Sequence, residues 1–329
     1  MSNKAAIGTV PPDIAVEISH VVKVFEQTRP TGLFRRETCR MTALDDVSFT
    51  LRRGEFAAYA GPNGAGKSTT FKLLCGMLAP QSGQIRALGL DPIRQRIPLM
   101  THTGVLFGNR SELWWDHPVR NSFLWKKVVW DIPDKTYDRM LRMVCDLLGL
   151  GELLDRFARE LSLGQRMRAN LGLMLLHDPK LILLDEPTLG LDVLAKRQMI
   201  DFLKRINRDE GTTLLVTSHD MDDLTEMARR ILLIHRGKIA FDGNYDQLMD
   251  LSGDKRIVRI AVSGEAPKLP GATFTGSEDG KYSYMYDAAN TSTASLMRGM
   301  AELPDVRDVE TGRVPIETVI ADLYRRWTA

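Results

Sequence analysis

The stretch GPNGAGKST, residues 61–69, fits the phosphate-binding pattern G-x-x-x-x-G-K-[ST]. Glycine lets the backbone amides of such a loop turn inward around a phosphate without a clash from a Cβ atom. The helix that follows would present its positive N-terminal end to the same anion. We expect the Lys67 ammonium to reach the β- and γ-phosphates of a nucleotide, and the Ser68 hydroxyl to coordinate Mg²⁺. The predicted phosphate-binding residues are Gly61, Pro62, Asn63, Gly64, Ala65, Gly66, Lys67, Ser68 and Thr69.

The residues on either side of this loop have the patterns of a buried strand and a helix. FAAYA (56–60) is a short unbroken apolar run, and apolar residues recur at helical spacing from Phe71 onward. A chance glycine turn would not need this context. Two more apolar runs, LILLD (181–185) and TLLVTS (213–218), suit strands buried on both faces of a parallel sheet. The sequence therefore predicts an α/β nucleotide-binding fold.

An acidic pair, Asp185 and Glu186, follows the second of these runs. At the end of a buried strand, the Asp185 carboxylate is placed to hold Mg²⁺ directly or through a water. Glu186 is placed to polarise a water for attack on the γ-phosphate. On its own the pair could equally be a solvated turn. Beside a phosphate loop, the two acids favour a catalytic site.

The chain divides into regions of different pattern. Residues 1–13 are expected to form a mobile tail and residues 14–251 to form the nucleotide-binding domain. An insertion at about 96–178 is predicted to be mostly helical. Residues 252–329 alternate strand and helix patterns, which predicts a small C-terminal α+β domain without a recognisable chemical motif.

The region before the phosphate loop has the alternation of an antiparallel sheet. Apolar and polar residues alternate within 14–25 and again within 43–55. The stretch between them, EQTRPTGLFRRETCR (26–40), is basic and rich in turn-forming residues. We therefore expect two strands joined by a long turn.

Composition excludes several classes of protein. A formal net charge of +2 gives no support for a broad nucleic-acid-binding surface, so no nucleic-acid partner is expected. Cys39, Cys75 and Cys145 have no CxxC spacing, which argues for reduced thiols in the cytoplasm and against a disulfide framework or a zinc site. The N-terminus has no apolar signal region, and no stretch approaches the ~20 apolar residues of a membrane span. Any role at a membrane would run through a partner.

Residues 161–165 read LSLGQ and closely resemble the LSGGQ signature of ABC transporter ATPases. PTLGLD (187–192) is similar to the D-loop of that family, and His219 follows a strand as its switch histidine does. The resemblance covers roughly residues 14–250. It implies a P-loop ABC-type ATPase fold, α/β overall, with an antiparallel β subdomain and a helical subdomain.

The resemblance also implies a site shared by two chains, with ATP and Mg²⁺ bound between them. Ser162, Gly164 and Gln165 would bind the nucleotide held by the second chain, with the Ser162 hydroxyl meeting its γ-phosphate. Serine before a helix is equally a good N-cap. The other nucleotide contacts that the resemblance implies are Phe25 stacked on adenine, Asp192 in the D-loop and His219 at the γ-phosphate.

The implied partners are a second copy or a paralogue of this chain and a separate integral-membrane permease. The chain would then work in the cytoplasm, peripheral on the inner face of the cell membrane. Residues 105–123, VLFGNRSELWWDHPVRNSF, resemble the Q-loop segment of ATPases that serve export-type permeases. Drugs, polysaccharides and lipids are the usual cargoes of that branch.

Two positions depart from the family pattern. The Q-loop glutamine that touches Mg²⁺ aligns with Asn109, whose side chain is one methylene shorter and would reach the metal through a water. Leu163 replaces the first glycine of the signature, while Gly164 keeps the second. We expect both changes to tune activity and not to remove it.

Three alternatives stay open at this stage. The tryptophans at 114, 115, 125 and 130 suit either the core of a helical subdomain or a docking surface for a permease. A non-transport ABC ATPase acting on ribosomes or DNA would share the nucleotide motifs. A P-loop kinase would share the phosphate loop, but it has no use for a second chain's serine.

Overall fold

The computed structural model describes residues 12–30, 36–108, 111–218 and 220–328. Their contacts divide them into two compact units, one ending at Asp242 and the other beginning at Gly243. Three of the expectations above lie outside the described residues: the tail up to residue 11, Asn109 and His219.

A six-stranded sheet is the centre of the first unit. Its strands are β3 (Phe56–Ala60), β5 (Thr103–Phe107), β6 (Leu181–Asp185), β7 (Thr213–Thr217), β8 (Arg230–His235) and β9 (Lys238–Gly243), the last residue of β9 being assigned to the second unit. The order across the sheet is β5–β6–β7–β3–β8–β9. β3 pairs in parallel with β7 and β8, and β6 pairs in parallel with β5 and β7. Every residue of β3 and β7 is buried, which confirms the predicted parallel sheet.

An antiparallel sheet of three strands precedes the central sheet along the chain. Its strands are β1 (Ile14–Pro30), β2 (Arg36–Arg52) and β4 (Ser82–Ala87), in the order β2–β1–β4. The predicted antiparallel pair is confirmed, but the strands extend into the stretch interpreted as a long turn. Cross-strand pairing continues to Pro30 opposite Arg36, and Glu26 forms an ion pair with Arg40. Pairing of backbone groups thus overrides the turn-forming residues.

Seven helices surround these sheets within the described part of the first unit. They are α1 (Lys67–Leu74), α2 (Arg96–Met100), α3 (Val119–Val129), α4 (Asp134–Leu148), α5 (Leu163–Leu175), α6 (Val193–Glu210) and α7 (Met221–Met227). We call α3, α4 and α5 the helical region. The predicted helical insertion was drawn too wide, because it included β5, the edge strand of the central sheet. No helix in the described ranges is long and apolar enough to cross a membrane.

The second unit is a four-stranded antiparallel sheet with three helices. Its elements are α8 (Tyr245–Asp250), β10 (Lys255–Val262), β11 (Ala272–Glu278), β12 (Lys281–Asp287), α9 (Thr293–Ala301), β13 (Val306–Arg313) and α10 (Ile316–Thr328). The strand order is β11–β12–β10–β13, and Val258 and Tyr284 pack in one core with Leu296 of α9. The predicted strands and helices are all present. The boundary predicted at residue 252 falls after α8, whereas the two units divide before it.

Candidate functional site

The phosphate loop joins the end of β3 to the start of α1 and needs glycine at two positions. Gly66 has φ +118°, and a Cβ atom there would lie 2.6 Å from the Ala43 carbonyl oxygen. A Cβ atom on Gly61 would lie 2.2 Å from the carbonyl oxygen of Ile234 in β8. Both distances are shorter than any real contact, so side chains would push the loop off the sheet.

The Lys67 ammonium lies inside this loop. Its Nζ donates hydrogen bonds to the carbonyl oxygens of Gly61 (2.6 Å) and Pro62 (3.2 Å). Burial lowers the pKa of the Lys67 ammonium, and the nearby carboxylates of Glu186 and Asp185 oppose this by raising it. A cation near two carboxylates, in a glycine-rich loop at the start of a helix, is placed to bind a phosphate.

Oxygen atoms from three elements meet at Asp185. The Ser68 hydroxyl donates to Asp185 Oδ2 (2.7 Å), and the Thr217 hydroxyl donates to Asp185 Oδ1 (2.7 Å). Ser68 lies in the first turn of α1, Asp185 ends β6 and Thr217 ends β7, so the sheet itself sets this geometry. Carboxylate and hydroxyl oxygens are the ligands that Mg²⁺ prefers, so Ser68 and Asp185 fit the predicted metal role.

Glu186 follows Asp185 at the point where the chain leaves β6. Its φ of +54° is uncommon for a residue with a side chain. Its backbone N–H donates to the Thr217 hydroxyl (3.0 Å) and to the Thr217 carbonyl oxygen (3.2 Å). These bonds hold the strained turn and place Glu186 beside Lys67. Such strain is typical of residues held in place for function.

Glu186 and the phosphate loop line one open pocket, which we call the phosphate cleft. Its lining residues are Met41, Thr42, Ala43, Asn63, Gly64, Gly66, Lys67, Ser68, Thr69 and Glu186. The structure therefore brings Lys67, Ser68 and Glu186 together, as predicted, with Asp185 hydrogen-bonded to Ser68.

Phe25, the predicted adenine contact, lies in β1 directly opposite Met41 of β2. Directly opposed residues of an antiparallel pair lie on the same face. Met41 is 56% exposed and lines the phosphate cleft, so Phe25 lies next to that lining. The Lys23 ammonium lies 5.2 Å from the centroid of the Phe25 ring. Stacking of Phe25 on adenine stays a prediction.

The signature residues lie at the start of α5, away from the described residues that line the phosphate cleft. Ser162 is the N-cap: its hydroxyl accepts from the Gln165 N–H (3.2 Å), and the Gln165 side chain accepts from the Ser162 N–H (3.0 Å). This capping box fulfils the structural alternative. Ser162 and Leu163 are nevertheless exposed, and nothing within the described chain crowds Gly164 beyond an ordinary contact.

Asp192, in the D-loop, has a defined local role. Its carboxylate caps α6 by accepting from the Ala195 N–H (2.8 Å). Asp192 is not among the described residues that line the phosphate cleft. Its contact with nucleotide stays a prediction, as do the γ-phosphate contact of His219 and the metal contact of Asn109.

Two residues of the site were missed by the sequence analysis. Thr217 orients both Asp185 and the Glu186 backbone, and its signal was a lone hydroxyl at the end of an apolar strand. Met41 lines the phosphate cleft from the neighbouring sheet. No sequence signal pointed to Met41, because its place depends on how far the β1–β2 pairing extends.

Comparison with known proteins identifies the family that this chain resembles. Residues 44–189 match the family model described as ABC transporter. The chain is 35% identical over 236 residues to the probable multidrug ABC transporter ATP-binding protein YbhF of Escherichia coli strain K12, covering 69% of this chain and 38% of YbhF. It is 33% identical over 198 residues to the uncharacterized ABC transporter ATP-binding protein YhcH of Bacillus subtilis strain 168, covering 60% of this chain and 64% of YhcH. It is 34% identical over 205 residues to the putative HMP/thiamine import ATP-binding protein YkoD of the same organism, covering 62% of this chain and 36% of YkoD.

Solved structures show the same fold at lower identity. An ATP-binding subunit of an ABC transporter aligns with a TM-score of 0.61 and 22% identity, covering 73% of this chain and 93% of that one. The ATP-binding cassette MJ0796 was solved as a dimer in a post-hydrolysis state with ADP and Pi. It aligns with a TM-score of 0.58 and 21% identity, covering 70% of this chain and 98% of MJ0796. The chain spans less than two thirds of the length of YbhF, YhcH and YkoD.

Proposed function

Because this chain belongs to the ABC transporter ATP-binding proteins, we propose that it hydrolyses ATP to power transport through a separate membrane permease. The observation that carries the proposal is the convergence of Lys67, Ser68, Asp185 and Glu186 at one edge of the parallel sheet, where β3 and β6 end. Cation, hydroxyl and two carboxylates in this arrangement suit the binding and hydrolysis of a nucleoside triphosphate.

Each of these side chains has one task in the proposed reaction. Lys67 and the loop amides bind the β- and γ-phosphates. Ser68 and Asp185 would hold Mg²⁺, which neutralises charge on the phosphate oxygens when bound. Glu186 accepts a proton from the attacking water, and Thr217 keeps both acids in position. Asn109 and His219 are proposed as further contacts to metal and γ-phosphate.

The second half of the site is proposed to come from another chain. Ser162 is exposed at the positive end of α5, and apolar side chains around it are exposed as well: Leu163, Leu189, Val193 and Leu194. A second copy or a paralogue placed on this surface would bury them and present its nucleotide to Ser162. ATP would then hold two chains together, and hydrolysis would release them.

An integral-membrane permease is the proposed third component. Helix α3 and the segment before it carry exposed apolar side chains that such a partner would cover. They are Trp114, Trp115, Leu124, Trp125, Val128 and Val129. The likeness of residues 105–123 to the segment of export-type ATPases supports export as the direction. The name of YbhF refers to multidrug transport and that of YkoD to import. The chain would work at the inner face of the membrane through this permease.

The test uses Glu186→Gln, which keeps the shape of the side chain but removes its ability to accept a proton. ATP hydrolysis should fall about 10²–10⁴-fold while ATP still binds. Size-exclusion chromatography should show a dimer with ATP and a monomer with ADP. Adding Ser162→Arg should abolish that dimer without weakening ATP binding to the monomer. The exposed Glu152→Gln is the matched control and should behave as the unmodified chain.

A Glu186→Gln variant that stays monomeric at high ATP and keeps hydrolysing would contradict both the base and the shared site. The experiment is repeated with any ATPase encoded by a neighbouring gene, because a paralogue would complete the site. Hydrolysis without a phosphoryl acceptor separates this proposal from a P-loop kinase. A requirement for such an acceptor would favour the kinase.

A further inference from the structure

The segment that precedes α3 is paired with the segment that leads into α5. The Arg159 N–H donates to the Trp115 carbonyl oxygen (3.1 Å), and the Ala158 N–H donates to the His117 carbonyl oxygen (3.0 Å). An ion pair joins Arg159 to Asp116 at 2.6 Å. Two hydrogen bonds and an ion pair therefore join the two segments.

Trp115 reaches the start of α5 through Arg166. The Arg166 guanidinium lies 4.5 Å from the centroid of the Trp115 ring, a cation–π distance. The same guanidinium donates from Nη2 to the carbonyl oxygen of Leu161 (3.2 Å), the residue before Ser162. Arg166 Nε is buried and has no hydrogen-bond partner among the described residues. The Trp115 ring and the Leu161 carbonyl oxygen therefore hold this guanidinium together.

Asn170 closes the same arrangement one turn further along α5. Its buried side-chain oxygen accepts from the Ser111 hydroxyl (3.2 Å) and the Glu112 N–H (3.0 Å). Its amide donates to the Arg166 carbonyl oxygen (3.0 Å). The segment before α3 is thus held to α5 at two successive turns.

We infer that Trp115 and Arg166 are positioning residues for Ser162. The path runs from a ring that is 52% exposed, through the guanidinium, to the carbonyl group of Leu161 that leads into the N-cap. Pressure on the exposed ring from a bound partner would move the serine that completes the second chain's nucleotide site. This inference rests on the proposed function and gives Trp115 a task separate from that of the neighbouring tryptophan.

Trp114 supplies the matched control. Its ring contacts His117 (5.3 Å between centroids) and Trp125 (5.7 Å), and it is 39% exposed. It belongs to the same apolar surface as Trp115, but its ring contacts lead into α3 and not to Arg166. Loss of either ring removes a similar apolar area, so a difference between the two variants reports the path to Ser162.

The experiment compares Trp115→Ala, Trp115→Phe and Trp114→Ala in the full chain by hydrogen exchange. The N–H groups of Gln165 and Arg166 bond to the Ser162 hydroxyl and carbonyl oxygens, so their exchange reports the N-cap. Trp115→Ala should speed their exchange about fivefold, as expected for loss of one cation–π contact. Trp115→Phe should restore slow exchange because it keeps an aromatic face, and Trp114→Ala should leave it unchanged.

ATP hydrolysis gives the functional readout. Trp115→Ala should lower the rate about three- to tenfold while ATP affinity of the monomer stays within about twofold. In a Ser162→Ala background, Trp115→Ala should cause no further loss, because the group that it positions is gone. Unchanged exchange at Gln165 and Arg166 overturns the inference, as does faster exchange with an unaltered rate. Failure of the proposed function is seen separately, as an unmodified chain that hydrolyses no ATP.

Discussion

The two halves of the candidate site are built on different principles. Around the phosphate cleft, hydroxyl and carboxylate groups of the same chain bond to one another, as in the Ser68–Asp185–Thr217 set. In the helical region, the contacts are aromatic and cationic: the Lys126 ammonium lies 3.9 Å from the Trp130 ring centroid, and Trp130 lies 4.6 Å from the His177 ring. Ser162, at the other end of α5, bonds to Gln165 and Arg166 in the first turn of its own helix.

This difference indicates that the phosphate half of the site is formed within one chain, whereas the signature half is not. Parallel strands deliver their polar ends to one edge of a sheet, so the phosphate half is fixed by backbone pairing. The signature half depends on how side chains pack between helices and presents its polar group outward. We therefore expect changes in the first half to act on chemistry, and changes in the second half to act on packing and assembly.

The largest effect is expected from Lys67→Ala, which removes the main positive partner of the γ-phosphate. ATP hydrolysis should fall at least about 10³-fold, equivalent to about 4 kcal/mol of barrier. Steady-state ATPase assays and nucleotide binding measure the loss. Lys72→Ala, an exposed lysine on the same helix, should leave both unchanged. Near-normal turnover in Lys67→Ala would show that the phosphate half is assigned wrongly.

A second prediction concerns the pH dependence of stability in the half that contains the helical region. Burial, with the nearby Lys126 charge, lowers the pKa of His177 to about 4, against an ordinary value of 6.5. Its Nε2 lies 3.2 Å from the Thr103 carbonyl oxygen, while Nδ1 is buried without a partner among the described residues. Protonation therefore favours the unfolded chain. The neutral His177 therefore contributes fully to the free energy of unfolding above pH 6.5. This contribution, up to about 3 kcal/mol, is lost as pH falls toward 4.

Urea unfolding at pH 7 and pH 4.5 measures this loss. The unmodified chain should lose more free energy of unfolding than His177→Gln over that interval. His117→Gln, at an exposed histidine that does not contribute to the His177 shift, should follow the unmodified chain. Equal losses in His177→Gln and the unmodified chain would show that the helical region does not depend on a neutral histidine.

The smallest effect is expected from Thr217→Val, which keeps the shape of a buried side chain but removes its hydroxyl. Asp185 would lose one donor and the Glu186 N–H one acceptor, so hydrolysis should fall about tenfold, or ~1.4 kcal/mol. Thr213→Val is the matched control, because the Thr213 hydroxyl accepts from Gly54 at the opposite end of the same strand. A rate that changes equally in both variants would assign the loss to the strand and not to the site.

The phosphate half could be predicted from the sequence because its signals are local. A loop, an acidic pair and the strand ends that carry them occupy fixed places once parallel pairing is inferred. Lys67, Ser68, Asp185 and Glu186 were found in this way. β5 was missed because its five residues lie inside a long stretch of helical pattern, and only pairing with β6 makes it a strand.

Contacts between segments distant in sequence could not be predicted. The sequence leaves two interpretations of the tryptophans open, and the structure divides them: the Trp130 ring contacts both Lys126 and His177, whereas Trp114 and Trp115 are partly exposed. No pattern in the chain pairs Trp115 with Arg166, because the two lie on separate segments joined only by packing. The capping box at Ser162, by contrast, is readable from four consecutive residues.

During synthesis of the chain, β3 is made well before β7 and β8, the two strands with which it pairs. The phosphate loop ends at Thr69, but it packs on Ile234, and its Ala65 carbonyl oxygen accepts from the Gly237 N–H. At about 5–20 residues per second, roughly 10 to 30 s separate the appearance of the loop from that of these partners. Until β7 and then β8 have been synthesised, β3 is an apolar strand whose edges lack these partners. Exposed apolar strands are prone to aggregate, so we expect the growing chain to depend on chaperones until β8 emerges.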